Sequence, residues 1–229
     1  MTVWPQKKVE EIAEKVGMGP FGSSIKVSTF VNEGVPIISS QHLSGVSVDV
    51  FKSFNFISEQ HAEKLRNSLV FKGDVIFTHA GNIGQAAYIK NDCPFERLIV
   101  SQRQFYLRPD QSKILPAFLA YFFKTRLGQH LLLANASQVG VPAIARPVSY
   151  LKTIKIPVPS LDEQRAIVHQ LELIDQKIEL NHQMNETLEE IAQTIFKDWF
   201  VDFGPTRRKM EGATDPAIIL GGLSPPLPR

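Results

Sequence analysis

The chain has 229 residues, 43% of them hydrophobic, enough for one sizeable core or two small ones. A net charge of +2 singles out no class of partner, and the single cysteine, Cys93, excludes an internal disulfide and a cysteine-built zinc site. No apolar run reaches the length of a membrane span, and the opening MTVWPQKKVEE has no signal-peptide core, so the expectation is a soluble cytoplasmic protein.

In chain order, the apolar spacing of 7–16, KKVEEIAEKV, predicts a helix ending at Gly17, followed by a turn-rich loop, GMGPFGSSIK. Residues 35–39 (VPIIS) and the segment around 54–57 read as short strands, and SEQHAEKLRNS as a helix capped by Ser58. Residues 74–79 and 85–89 are expected to form a hairpin across AGNIG, whose glycines suit a tight turn. A further strand is predicted at 102–109. One helix or two follow over 115–134, with Gly128 as the weak point, then a loop, NASQVGVPAIARP, and a strand in TIKIPVP. This mixture is α+β, with no βαβ series and no internal repeat.

From Pro159 to Gly204 there is no Gly or Pro. Ser160-Leu-Asp-Glu163 fits a capping box, Asp162 adds negative charge at the positive end of a helix, and Gly204-Pro205 reads as its stop. Between them Ile167, Leu171, Ile174, Ile178, Asn181, Asn185, Leu188, Ala192, Ile195 and Trp199 repeat with 4-3 spacing, the pattern of a coiled-coil seam. No second helix of that length is predicted in the chain, so the expected partner is another subunit. The expected organisation is a head over 1–155, a long-helix spacer over 156–204 and a flexible tail over 205–229, weakly ordered from about Gly212. Charge follows this division: 1–150 carries 16 Lys and Arg against 11 Asp and Glu, whereas 151–203 carries 5 against 10. A polyanion would therefore meet the head.

The run IPVPSLDEQRAIVHQLELIDQKIELNHQMNETLEEIAQTIFKDWFVDFGP, followed by RRKMEG, resembles the conserved helical region of the specificity subunits of type I restriction-modification enzymes. GPFGSSIK, GVPIIS, KGDVIFTHAGNIGQAAYI and FYLRP resemble the framework of a target recognition domain of the same family. Family members normally carry two such domains and two helical regions; this chain has one of each and resembles a half-length form or a fragment of a longer one. The resemblance implies a DNA sequence-specificity subunit without catalysis of its own. It implies adenine-methylating modification subunits, a restriction translocase-nuclease and double-stranded DNA as partners, with S-adenosylmethionine, ATP and Mg used by those partners. It also implies antiparallel pairing of long helices between two heads. An alternative from another class is an assembly adaptor that recruits subunits through its coiled coil without reading DNA.

The residues themselves carry no Asn/Asp-Pro-Pro-aromatic methyltransferase motif, no glycine-rich cofactor turn and no P-loop, and the six histidines form no ligand pair. Base reading needs polar side chains on supported loops. The candidates are Ser40-Gln41-His42, His79 with Asn82, Ser101-Gln102-Arg103-Gln104, and Ser137-Gln138. Lys26, Lys72, Lys124, Arg126 and Arg146 are candidates for phosphate contact.

Overall fold

The computed structural model describes residues 4–22, 24–137 and 140–221. Two compact units divide inside the long helix, 1–170 and 171–229. The first contains strands β1 (Gln6–Lys8), β2 (Ala13–Met18), β3 (Phe30–Val31), β4 (Val35–Ile38), β5 (Asn55–Ile57), β6 (Leu69–Val70), β7 (Val75–Thr78), β8 (Ala86–Tyr88), β9 (Leu98–Val100), β10 (Gln104–Pro109), β11 (Ala136–Ser137), β12 (Ala143–Ile144) and β13 (Lys155–Pro157). Its helices are α1 (Val9–Ile12), α2 (Glu59–Lys64), α3 (Pro116–Lys124), α4 (Arg126–Leu133) and α5 (Pro147–Thr153), and it holds the start of α6 (Leu161–Phe196). After a π-helical turn at Lys197–Val201, the second unit continues into α7 (Gly204–Met210) and α8 (Pro216–Ile219).

The head is built on two sheets. One has the order β2-β10-β7-β8, all antiparallel; the other has the order β3-β5-β4-β9-β6, with β4 and β9 parallel. Because side chains alternate across a strand, each central strand feeds two cores. Val75, Phe77, Phe105 and Leu107 face the helical layer, where they join Phe118, Leu119 and Phe123 of α3. Ile76, Ala87 and Tyr106 face the second sheet and meet Ile38, Val70, Leu98 and Val100. The far side of that sheet, Val35, Ile37, Ile57 and Ile99, is covered by Ala62 and Leu65. Strands covered on both faces lose the apolar-polar alternation, and all four residues of β7 are buried. Asp74 is buried beside β7, where two 2.8 Å bonds from Arg108 and one from the Phe71 N–H hold its carboxylate. Burial pushes its pKa up despite that partner.

Ser58 caps α2 by accepting from the His61 N–H, and β7 and β8 pair as a hairpin. In that hairpin's turn Gly81 and Gly84 take positive φ values of 81° and 87°, which side chains resist. The helix expected over 7–16 is instead β1, a single turn and β2. Gln6–Lys8 pairs with Lys155–Pro157, and Ala13–Met18 with β10, so distant strands overrule the local helical spacing. The helices over 115–134 divide at Thr125, whose hydroxyl caps α4, rather than at Gly128. The predicted loop after them contains the small β11–β12 ladder. Gly204-Pro205 opens α7 instead of only stopping the long helix. The expected flexible tail is helical in α7 and α8, tied by Arg208, which pairs with Asp198 at 2.6 and 3.0 Å and donates to the Ile219 carbonyl.

Ser160 and Glu163 form the expected box: the Ser160 N–H donates to Glu163 at 3.0 Å, and the Glu163 N–H donates back to Ser160 Oγ at 3.3 Å. Gln164, fully buried, is the deeper anchor. Its Oε1 accepts from the Leu115 N–H at 2.8 Å and its Nε2 donates to the carbonyls of Lys113 and Pro159 at 3.0 and 2.9 Å. Among the described residues no helix is long and apolar enough to cross a membrane.

Candidate nucleic-acid interface

The antiparallel order β2-β10-β7-β8 brings the end of β2, the start of β10, the end of β7 and the start of β8 to one edge. Loops 19–26, 101–103 and 79–85 leave from it. Main-chain bonds join them to 39–44 and to the β11–β12 ladder. The Ser101 N–H donates to the Ile38 carbonyl at 3.0 Å, His79 to Arg103 at 2.9 Å, Gly81 to Pro142 at 2.9 Å and Ile144 to His79 at 2.8 Å. At Gly19 the chain passes so close to Ser101 that a Cβ would lie 1.9 Å from its carbonyl oxygen, so only glycine fits.

Charge separates the two ends of this sheet. Loops 19–26, 39–44, 79–85, 101–103 and 134–146 contain Lys26, Arg103 and Arg146 and no Asp or Glu. Glu14 stands near the start of β2, Asp74 just before β7 and Asp110 just after β10, at the other end of the sheet; Asp49 alone adjoins the 39–44 loop, its N–H on the His42 carbonyl and its carboxylate 3.6 Å from the Lys52 ammonium.

The edge gathers many of the candidate readers, and several are repositioned. Asn82 and Arg103 are exposed, and a Cβ on Gly81 would touch the Arg103 guanidinium at 3.4 Å. Gln102 is exposed, but its amide donates to the Gly22 carbonyl and, at 3.4 Å, to that of Ile25, so it braces the 19–26 loop. Gln41 is exposed with its amide on the Ser53 carbonyl at 3.1 Å, beside half-buried Ser40. Half-buried His79 donates from Nε2 to the Gln102 carbonyl at 3.1 Å, and desolvation lowers its pKa.

Two candidates are corrected outright. His42 is buried and stacked on Phe54 at 4.1 Å. Its Nδ1 accepts from the Ser39 N–H at 3.0 Å and its Nε2 donates to the Ser53 carbonyl at 3.1 Å, so both nitrogens are spent. Gln104 is 1% exposed and accepts from the Ser101 hydroxyl, inside the fold. Gln138 lies outside the described residues; its neighbour Ser137 is exposed in β11.

Among the phosphate candidates, Lys26 and Arg146 are exposed on edge loops, and Lys124 flanks Ile83 and Gly84 across a cavity of about 370 Å³ with its ammonium on the Ser44 carbonyl at 3.3 Å. Arg126 is exposed in the first turn of α4. Lys72 is misplaced by the sequence reading, because it precedes β7 and so sits at the opposite end of the sheet.

Residues 1–190 match the family described as "Type I restriction modification DNA specificity domain". The chain belongs to that specificity family. It is 32% identical over 148 residues to the type I restriction enzyme HindI specificity subunit of Haemophilus influenzae, covering 63% of this chain and 31% of that one. It is 28% identical over 209 residues to the MjaIX specificity subunit of Methanocaldococcus jannaschii, covering 90% of this chain and 46% of the relative. The same fold occurs in the HsdS subunit of Thermoanaerobacter tengcongensis (TM-score 0.54, 18% identity, 86% of this chain and 45% of that one) and in the S subunit from M. genitalium (TM-score 0.58, 16% identity, 86% and 46%). The specificity-family chain described here thus spans less than half the length of the relatives it matches.

Along α6, Ile174, Ile178 and Leu188 of the predicted seam are exposed, as are Asn181, Asn185 and Ala192, while Leu171 is half-buried. Ile167 instead packs on the head's main core. Ile195 and Trp199 line a groove with Leu220 and Gly221, so the chain's own C-terminal segment borders the end of the seam. Sequence reasoning missed a second exposed stripe, Leu173, Leu180, Met184 and Ile191, although it carries the same helical spacing. It also missed Phe21 and Val141, exposed apolar residues on the edge loops, and exposed Val27, which opens the short helical turn just after Lys26. Gly19 and Gly22, which flank Pro20-Phe21, were the available signal for the first of these.

Proposed function

We propose that this chain is the DNA-recognition half-subunit of a type I restriction-modification system, without chemistry of its own. The acid-free loop edge carries this reading. A surface that collects Lys26, Arg103 and Arg146, and whose one neighbouring carboxylate among the described contacts, Asp49, is paired with Lys52 at 3.6 Å, attracts phosphates, while Asn82, Gln41 and Arg103 offer donors and acceptors to base edges. Arg103 is the reader best placed for a guanine, because no acid competes for its guanidinium among the described residues.

The exposed stripe of α6 supports pairing with a second copy. In an antiparallel pair centred near Gln183, Ile178 lies opposite Leu188 and Asn181 opposite Asn185, so apolar meets apolar and the two amides satisfy each other. Two-fold symmetry then requires inverted identical half-sites, about 10–11 base pairs apart if the heads enter successive major grooves on one face. Modification and restriction subunits, using S-adenosylmethionine, ATP and Mg, would supply methylation and cleavage.

The test starts from the methylated motif in the genomic DNA of the source cell. The full chain with its modification subunit should bind a duplex carrying that motif far better than a scrambled one, with affinity falling steeply between 50 and 200 mM salt. Equal binding to both duplexes, or a motif of two unrelated halves, would defeat the proposal in its recognition or its symmetry respectively.

A further inference from the structure

Phe21 is the largest exposed apolar side chain among the described residues of the loop edge. It is 76% exposed, belongs to none of the three cores, and among the described residues stacks on no other ring. The described residues of the loop that carries it are tied by hydrogen bonds. Ser24 Oγ donates to the Phe21 carbonyl at 2.8 Å, and the Gln102 amide donates to the carbonyls of Gly22 and Ile25 on either side of the turn. Gly19, just before it, is locked against Ser101. The ring is therefore held out by bonds that do not involve it. From Gln102 the edge continues through Arg103 to Gly81 and Pro142, next to which Val141 is 68% exposed. Val27, 82% exposed, follows Lys26.

In the major groove three bases present only polar edges, and thymine alone adds an apolar feature, its 5-methyl group. An edge that offers an exposed aromatic ring together with the Arg103 guanidinium has a use for both kinds of feature. We infer that Phe21 reads the 5-methyl group of a thymine in each half-site, with Gln102 as the residue that positions its loop. This inference rests on the reading of the loop edge as the DNA face, and adds to it a base identity and a contact that no hydrogen bond supplies.

Replacing thymine by uracil removes that methyl group and nothing else. The full chain with its modification subunit is titrated against duplexes bearing the genomic motif, each thymine of a half-site replaced in turn by uracil, with fluorescence anisotropy as the readout. For the unsubstituted protein one position should weaken binding about fourfold, the worth of burying one methyl group, and the others should not. Phe21→Ala should bind the thymine duplex at least as weakly as that and should no longer distinguish thymine from uracil at that position. Phe21→Leu, still apolar, should retain part of the discrimination. Unchanged melting temperatures for both variants, expected for so exposed a side chain, tie the effect to DNA. Indifference of the unsubstituted protein to uracil everywhere, or a Phe21→Ala variant that keeps the full discrimination, would overturn the inference while leaving DNA recognition standing. Failure of the unsubstituted protein to prefer the motif over a scrambled duplex would remove the DNA face itself.

Discussion

Replacing Gln164 by Ala should destabilise the head more than the loss of any exposed side chain on the long helix. The side chain is fully buried and makes three bonds to main-chain groups: one accepted from Leu115 and two donated to Lys113 and Pro159. Of those three groups the Pro159 carbonyl belongs to a buried residue and the other two bonds are part-buried. At about 1 kcal/mol per bond the loss is about 3 kcal/mol, and the small void left behind adds to it. For a unit of this size that corresponds to a fall of about 6–12 °C in melting temperature. Gln164→Leu fills the void but pairs nothing, so it should recover little. Gln164→Glu keeps the acceptor for Leu115 but turns a second oxygen toward two carbonyls, and should be the worst of the three. Urea unfolding followed by tryptophan fluorescence and circular dichroism measures all three, with the midpoint moving at constant slope. A loss below about 1 kcal/mol for Gln164→Ala, or full recovery by Leu, would refute the argument that these bonds anchor the start of the helix.

Arg103→Ala should weaken binding to the genomic motif by about 1–3 kcal/mol and relax one position of it, whereas uniform weakening on every duplex would reassign Arg103 to phosphate. Leu188→Glu should turn a dimer into a monomer in light scattering, because it sets a carboxylate opposite Ile178 in the antiparallel register; an unchanged mass would exclude that seam. His42 should titrate below 6.5 by NMR, since burial disfavours its charged form. An unfolded chain then binds more protons than the folded one as pH falls below 6.5, so this residue's contribution to stability is complete above that pH and is lost toward the lower folded pKa. A His42 resonance titrating above 6.5 would contradict the geometry of its two ring nitrogens.

The parts of the fold legible in the sequence are those decided locally. Ser160 and Glu163 announce the long helix because a capping box needs only four residues, and the AGNIG turn announces its hairpin for the same reason. Residues 7–16 misled because Val9, Ile12 and Val16 satisfy a helical period, of which only the turn Val9–Ile12 is helical, while the strands that claim the two flanks, β13 and β10, lie about 90 to 150 residues further along. β6 and β9 are too short, at 2 and 3 residues, to leave a period at all. At the loop edge the sequence marks Arg103 and Asn82 well, since polar residues between apolar strands are usually outside. It cannot tell that Gln104 begins a strand whose side chains are covered on both faces, or that His42 folds back beneath Ser39. Gln164 is hidden differently: a glutamine in the first turn of a helix looks like solvent-facing polarity until the carbonyls above it are in place.

The loops of the charged edge are laced together by main-chain atoms: Ser101 to Ile38, His79 to Arg103, Gly81 to Pro142, Ile144 to His79 and Gly19 to Gln104, each between 2.8 and 3.0 Å. Side chains such as Asn82, Arg103, Lys26 and Phe21 hang from that lattice without supporting it. Gln102, which braces a loop, and Gly19, which admits no Cβ, are the fixed points. Substitutions at the hanging positions leave folding almost untouched and spend their whole effect on the molecule's outer chemistry. A surface built this way works as a socket with interchangeable fittings. Single exchanges at the hanging positions change the exposed chemistry at little cost to the scaffold, and an engineer has the same freedom as long as the fixed points are kept.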